Sequence, residues 1–68
     1  MTNTEQLQKI IKKSGYKYNY IAKKLNLSRA GLFKKINNIT EFKASEIVML
    51  SDLLKLSPAE RDDIFLTN

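Results

Sequence analysis

The sequence predicts an all-α fold, a compact bundle of five short helices in a single domain over residues 1–68. Apolar residues recur at helical spacing in several segments, and residues that typically begin or end helices separate those segments. A chain of 68 residues buries only about 60% of the surface that its unfolded form exposes. It can therefore form a small core but hardly a deep substrate cavity.

The first helix is predicted over about Asn3 to Lys13. The residues Thr2-Asn3-Thr4-Glu5 have the Thr-x-x-Glu form of a capping box, and apolar residues follow at positions 7, 10 and 11, the spacing of a buried helical face. Gly15 is expected to adopt the left-handed conformation that ends a helix.

Two shorter helices are predicted next, with a sharp turn between them. The second begins near Lys17 and ends before Asn26, a residue type that tolerates positive φ and so can redirect the chain. Ser28 is the expected N-cap of a third helix that ends near Asn37. Two such helices joined by so short a turn must cross steeply, which is the helix-turn-helix arrangement.

The fourth helix is predicted over residues 43–54, with Val48 among its core residues. Ser57-Pro58-Ala59-Glu60 combines a serine cap, a proline at the first helical position and a capping-box glutamate, so a fifth helix is predicted from Pro58 to about Leu66. Its apolar end either folds back onto helix 4 or forms half of a two-fold dimer interface, which we favour. The residues concerned are Ile64, Phe65 and Leu66.

The composition excludes several classes of function. The chain has no Cys and no His, which removes disulfides, thiol chemistry, imidazole catalysis and the usual zinc ligands. An enzyme would need clustered carboxylates in a cleft, and Asp52, Asp62 and Asp63 suit surface roles better. No apolar run approaches the roughly 20 residues that span a bilayer, and the N-terminus does not resemble a signal peptide. We expect a cytoplasmic protein without catalysis, metal, cofactor or small-molecule ligand.

The charge is divided unevenly along the chain. Residues 1–43 carry ten basic and two acidic side chains, a net charge of +8, whereas residues 44–68 carry two basic and five acidic ones, a net charge of −3. This asymmetry is typical of a protein that presents one basic face to a polyanion. The alternative is an ordinary lysine-rich solvated surface.

The third helix carries the side chains that could face DNA. Small Ala22 and the apolar residues around it would hold the angle between helices 2 and 3. A helix that protrudes from a basic domain fits the major groove of DNA, roughly 12 Å wide. The residues left on its outer side are Ser28, Arg29, Ala30, Phe33, Lys34 and Asn37.

The run IAKKLNLSRAGLFKKINN, followed by an Ile/Leu-rich helix and LSPAERDDIF, resembles the small phage repressors of the lambda-repressor/Cro (XRE) superfamily, especially Cro-type regulators of phages of Gram-positive bacteria. The resemblance covers Gln6 to Phe65. It implies a lambda-repressor-like bundle in which helix 3 reads DNA bases and the start of helix 2 touches phosphate. It also implies a homodimer on a pseudo-palindromic operator in double-stranded DNA.

Carried over by position, the resemblance places five residues at or beside base edges: Ser28, Arg29, Ala30, Phe33 and Lys34. It implies phosphate contacts from Tyr18, Asn37, Asn38 and Thr40, to which we add Lys17 and Lys43 from the field of lysines that attracts phosphate. The sequence departs from the family at Asn26 and Asn38, where glycine is usual. Ile36 lies one residue late, which leaves open whether Lys34 or Lys35 enters the groove.

The sequence also predicts positions for three aromatic side chains, one of which has two alternatives. Phe33 either packs inward with Leu32 and Phe42 or lies against a thymine methyl group. Tyr20 is expected to be partly buried, and Tyr16 is expected to pack over the end of helix 1.

Two basic residues also have alternatives. Arg29 is expected to pair with guanine O6 and N7, the alternative being a phosphate contact or a solvated side chain, and Lys34 contacts either a base or a phosphate.

The sequence thus predicts a transcriptional repressor of the Cro type that binds operator DNA as a dimer. The alternative is a protein-interaction module, an antirepressor or antitoxin, built on the same bundle. Its signature would be DNA binding no tighter than that of any protein with a charge of +5.

Overall fold

In the computed structural model, which describes residues 1–66, the chain forms five helices and, over that range, no strand. This confirms the predicted compact all-α bundle, whose Cα radius of gyration is 10.6 Å. The predicted helix boundaries agree with the observed ones to within one or two residues. The helices are α1 (Thr4–Ser14), α2 (Tyr18–Lys24), α3 (Arg29–Ile36), α4 (Ala44–Leu54) and α5 (Pro58–Phe65).

The start of α1 corrects the predicted capping box by one residue. Asn3, rather than Thr2, is the N-cap, and its side-chain oxygen accepts a hydrogen bond from the Gln6 N–H at 3.1 Å. Thr2 is only 8% exposed, and its N–H and C=O both bond to the side chain of Asn38, far along the chain. This tertiary contact removes Thr2 from the helix cap.

Four residues among those described have a left-handed backbone conformation, and the sequence indicated three of them. Gly15 has a φ of +80° and Asn26 a φ of +58°, which confirms both predictions. Asn38 has a φ of +63°, in line with its position where glycine is usual in the family that the chain resembles. Lys55, the residue after α4, has a φ of +55° that no sequence feature indicated.

Both predicted serine caps are confirmed. Ser28 Oγ accepts the Gly31 N–H at 3.0 Å, so α3 begins directly after it. Ser57 Oγ accepts the Glu60 N–H at 3.1 Å, and the Glu60 carboxylate accepts the Ser57 N–H at 2.9 Å. These hydrogen bonds satisfy backbone donors that the first turn of a helix leaves unpaired.

The core lies around α1, which contacts α3, α4 and α5. Val48, predicted to belong to the core face of α4, is 57% exposed, and neighbouring Met49 is 48% exposed. Instead α4 buries Glu46, Leu50 and Ser51, because its inward face is rotated away from Val48. The core side chains are Leu7, Ile11, Ile21, Ala22, Leu25, Leu32, Ile36, Leu50, Ile64 and Phe65.

The apolar end of α5 packs inside its own chain, which corrects the predicted dimer interface. Ile64 is fully buried and Phe65 is 5% exposed. The Phe65 ring meets Phe42 edge to face, with centroids 5.4 Å apart, and the Ile64 carbonyl accepts the Asn3 N–H at 2.6 Å. Of the three residues expected at a dimer interface, only Leu66 is exposed.

Candidate functional site

The candidate site is built on α2, α3 and the turn between them. The two helices pack against each other, and residues 25–28 connect them. Ile21, Ala22 and Leu25 are buried along the inner side of α2, and Ala22 is 2% exposed. The Leu27 N–H reaches back to the Ala22 carbonyl at 2.8 Å, which closes the end of α2 and turns the chain toward α3.

The α3 helix has two chemically different faces. Leu32 and Ile36 are fully buried on one side of the helix, and the residues on the opposite side face solvent. We call this exposed side the outer face of α3. It brings together four of the five side chains predicted to contact bases, Arg29, Ala30, Phe33 and Lys34, all of them exposed. The fifth, Ser28, is exposed at the N-cap.

Lys35 does not belong to the outer face, although it follows Lys34 directly. Its Nζ lies 2.7 Å from Glu46 Oε1 on α4 and 3.1 Å from the Glu41 carbonyl, and the residue is only 9% exposed. The ion pair joins the end of α3 to the start of α4. Of the two lysines between which the sequence left a choice, Lys34 is therefore the one on the exposed side.

Glu46 is the only buried carboxylate among residues 1–66. Burial alone would raise its pKa, but hydrogen bonds from Lys35 Nζ and the Lys43 N–H, together with the charges of both lysines, outweigh burial and hold the pKa below its ordinary value. Glu46 is thus ionised at neutral pH and neutralises a cation that would otherwise be buried alone.

Phe33 takes the outward one of its two predicted orientations, since it is 52% exposed. The inward position predicted for it beside Phe42 is filled by Phe65 instead. A phenylalanine that is half exposed on a basic helix, with Arg29 and Lys34 on the same face, supplies an apolar surface between two cations.

The start of α2 joins α3 and α1 around a shallow cleft of about 580 Å³. Lys17, exposed at the N-cap, Tyr18, half-buried against the core, and Arg29 all line it, so the cleft brings together three of the residues predicted from the sequence. Lys12 of α1 lines it as well, a contribution that sequence reasoning missed because nothing local to Lys12 indicates a contact with α2. The other lining residues are Gln8, Ile11, Tyr16 and Asn19.

A second cleft, of about 360 Å³, lies on the other side of Arg29. Lys23 and Asn26 line it together with Asn19, Ala22 and Leu27. Since Arg29 borders both clefts, basic side chains from α1, α2 and α3 surround the start of the outer face. Four of the ten basic residues counted along residues 1–43 therefore line these two clefts: Lys12, Lys17, Lys23 and Arg29.

Tyr20 differs from its predicted environment, since it was expected to be partly buried and is 43% exposed. Tyr16, expected to pack over the end of α1, lines the first cleft with Ile11 and Lys12 of α1, and its ring stacks on the Tyr20 ring with centroids 5.1 Å apart. Tyr18 is the half-buried one. Two positions along a helix correspond to a rotation of about 200°, so Tyr18 and Tyr20 face nearly opposite directions.

The turn after α3 contains the remaining predicted phosphate contacts. Thr40 and Lys43 are exposed, and Asn37 uses one N–H of its amide on the Phe33 carbonyl at 2.9 Å. Asn38 differs, because its Nδ2 donates to the Thr2 carbonyl at 2.8 Å and to Thr4 Oγ1 at 3.2 Å. Its two amide hydrogens are thus occupied within the chain, which disfavours the phosphate contact that the resemblance implies for Asn38.

No helix among residues 1–66 is both long and apolar enough to cross a bilayer. Nor do three carboxylates in this range gather into a group that could hold a metal ion.

The fold and this surface define a class: a small all-α protein with an exposed, basic helix face beside a short turn. The chain belongs to the family described as "Protein of unknown function (DUF739)", whose model matches residues 4–68. Comparisons with the curated proteins and with the solved structures gave no match.

Proposed function

We propose that the protein is a sequence-specific DNA-binding transcriptional regulator in which α2 and α3 act as a helix-turn-helix. The outer face of α3 carries the proposal, since its polar and aromatic side chains are exposed. Lys35, the one cation on the inward side of this helix, is neutralised by Glu46. An α-helix with its side chains is about 10–12 Å across, which matches the major groove.

Base recognition is assigned to the outer face. Arg29 near the start of α3 is suited to pair with guanine O6 and N7, and Phe33 offers an apolar surface to a thymine methyl group. Lys34 lies one turn beyond Ala30, whose small side chain lets the helix approach the bases closely. Ser28 Oγ accepts a backbone hydrogen bond but keeps its own O–H to donate.

Phosphate binding is assigned to the residues around the two clefts and to the turn after α3. Each lysine that neutralises a phosphate releases counterions and makes binding more sensitive to salt. Lys12 and Lys23 join the set because the clefts place them next to Arg29. The residues predicted from the sequence that keep this role are Lys17, Tyr18, Asn37, Thr40 and Lys43.

The proposed target is a pseudo-palindromic operator bound by two copies in the cytoplasm of a bacterial host. A single α3 contacts only a few base pairs, so two copies are needed for useful specificity. The proposal agrees with the resemblance of the sequence to Cro-type repressors, and it involves no catalysis. Binding over a promoter would by itself prevent transcription.

The test begins with selection of a binding sequence from random double-stranded DNA. Affinities for the selected and for scrambled DNA are then measured by fluorescence anisotropy at several salt concentrations. Arg29→Ala should reduce the preference for the selected sequence by about 1–3 kcal/mol, because a bidentate base contact is lost. Lys17→Gln should weaken both DNAs alike and lower the salt slope by about one.

Lys9→Gln is the matched control, since Lys9 is an exposed lysine of α1 that pairs with Glu5 and lines neither cleft. It should change neither preference nor slope by as much as Lys17→Gln. Failure to enrich any sequence, with binding no tighter than charge alone explains, would reject the proposal. That result would favour the protein-interaction module instead.

A further inference from the structure

A second surface of the molecule is apolar and exposed. Tyr20 and Lys24 of α2 line a cleft of about 330 Å³ together with Met49, Asp52 and Leu53 of α4, which we call the α2–α4 cleft. Met49 is 48% exposed and Tyr20 is 43% exposed. Exposed apolar side chains that line one cleft, rather than lying singly on the surface, are suited to contact a partner.

Two further exposed residues adjoin this lining. Val48, which precedes Met49 on α4, is 57% exposed, and the Tyr16 ring stacks on the Tyr20 ring with centroids 5.1 Å apart. No residue of α3 lines the cleft. A partner seated there would therefore leave the outer face of α3 free.

The two charged residues of the cleft are opposite in sign but form no ion pair with each other. The ion pairs found among residues 1–66 join Lys9 to Glu5, Lys35 to Glu46 and Arg61 to Asp62. Lys24 Nζ instead lies 5.5 Å from the centroid of the Tyr20 ring. Lys24 and Asp52 thus flank exposed apolar side chains. Neither forms an ion pair among residues 1–66, and the Lys24 ammonium contacts only the Tyr20 ring there.

We propose that the α2–α4 cleft is the surface through which two copies of this chain associate. In a two-fold interface the same patch is used twice, so it must be self-complementary. One cation and one anion flanking an apolar centre meet this condition, because Lys24 can pair with the partner subunit's Asp52 and Asp52 with the partner subunit's Lys24. A strongly acidic or basic partner would instead place one of the two beside a like charge.

The overall charge also favours this surface over others. Two chains of +5 repel each other, and the repulsion is weakest where a patch carries equal positive and negative charge. The predicted interface at the end of α5 has lost Ile64 and Phe65 to the core. The α2–α4 cleft replaces it as the site of dimerisation.

The test is a charge-exchange experiment followed by sedimentation equilibrium without DNA. Lys24→Glu and Asp52→Lys each place like charges across the proposed interface, so each variant alone should associate at least ~10-fold more weakly than the wild type. Mixing the two variants in equal amounts should restore association. In the mixed dimer the introduced glutamate of one chain faces the introduced lysine of the other, and the unchanged Lys24 and Asp52 face each other as well.

Lys23→Glu and Asp63→Lys are the matched controls. They make the same charge changes at exposed residues that do not line the cleft, and Lys23 is the immediate neighbour of Lys24. Neither should weaken association as much, nor should their mixture differ from the separate variants. Circular dichroism should show that every variant remains helical, as expected for substitutions at exposed positions.

Restored association in the mixture supports the proposal. If either substitution weakened association by disturbing its own chain, adding the other variant would not restore it. A wild-type chain that stays monomeric near ~1 mM, or a dimer that both charge reversals leave intact, overturns it. The inference rests on the proposed function in that a pseudo-palindromic operator needs two copies. Since no DNA enters the experiment, its failure and the failure of DNA binding are separate results.

Discussion

The inner and outer faces of α3 each carry a lysine, and the two lysines have different roles. Lys35 on the inner face is held by Glu46 and by the Glu41 carbonyl, whereas Lys34, the preceding residue, is exposed. A step of one residue rotates a side chain by about 100° around the helix, which is enough to exchange solvent for the core. Lysine is thus structural on one face and available to a ligand on the other.

The largest difference between the faces should appear in stability. Leu32→Ala should lower the free energy of unfolding by about 2–5 kcal/mol, because it leaves a cavity in the core. Phe33→Ala, one residue away and half exposed, should change it by no more than about 0.5 kcal/mol. Urea titrations followed by circular dichroism measure both values. Equal losses would mean that the two faces are not distinct.

The two lysines should differ by a smaller amount. Lys35→Ala leaves the Glu46 carboxylate without its cation and should cost about 1–3 kcal/mol of unfolding free energy, whereas Lys34→Ala should cost almost nothing. The order should reverse for DNA binding, where Lys34→Ala weakens affinity and a folded Lys35→Ala protein does not. A stable Lys35→Ala protein with impaired DNA binding would contradict this assignment.

Acid should also break the ion pair between Lys35 and Glu46, because it protonates Glu46. The loss of unfolding free energy should be smaller than for Lys35→Ala, since protonated Glu46 keeps hydrogen-bond partners. Because its folded-state pKa is depressed, Glu46 adds stability above its ordinary pKa of 4.5 that is lost as the pH falls through the folded-state value. Unfolding free energies measured from about pH 6 to about pH 3 should therefore fall more steeply for the wild type than for Glu46→Gln.

Glu60 needs its own control in that experiment. The backbone N–H and the side chain of Ser57 lower the pKa of Glu60 by hydrogen bonding, so its protonation also removes stability in acid. Glu60→Gln should flatten the pH dependence separately from Glu46→Gln. A wild-type profile parallel to that of Glu46→Gln would show that the buried ion pair does not govern the acid response.

The smallest predicted effect sharpens the role of Phe33 on the outer face. Replacing thymine by uracil in the selected DNA removes only the methyl group and should cost the wild type up to about 0.8 kcal/mol of binding at the contacted position. The same replacement should cost Phe33→Ala nothing there. Anisotropy titrations over single replacements locate the position, and an equal loss for both proteins would assign the contact to another residue.

Local chemistry predicted the helices and most of their ends. The serine caps at Ser28 and Ser57 and the left-handed residues Gly15 and Asn26 depend on contacts within about four residues, which a sequence displays directly. Predictions failed where a distant residue intervened. Asn38 lies 36 positions from Thr2, and their hydrogen bonds displaced the predicted helix cap and occupy the Asn38 amide.

The candidate site was foreseen in part for the same reason. Helical spacing alone grouped Arg29, Phe33 and Lys34 on one side of α3, and the structure exposes all three. Spacing could not assign Lys12 to the same cleft, because that requires the packing of α1 beside α2. Helical spacing also could not show whether the apolar end of α5 is buried or exposed, since the same residue types occur in both environments.

The sequence by itself determined the number of helices, the serine caps at Ser28 and Ser57 and the concentration of positive charge in residues 1–43, because these depend on neighbours along the chain and on composition. Only the tertiary structure decided which lysine is buried with Glu46 and which apolar residues remain outside. The core of so small a chain has room for few side chains, and shape decides which apolar residues enter it. Ile64 and Phe65 occupy that space, and Val48 and Met49 do not.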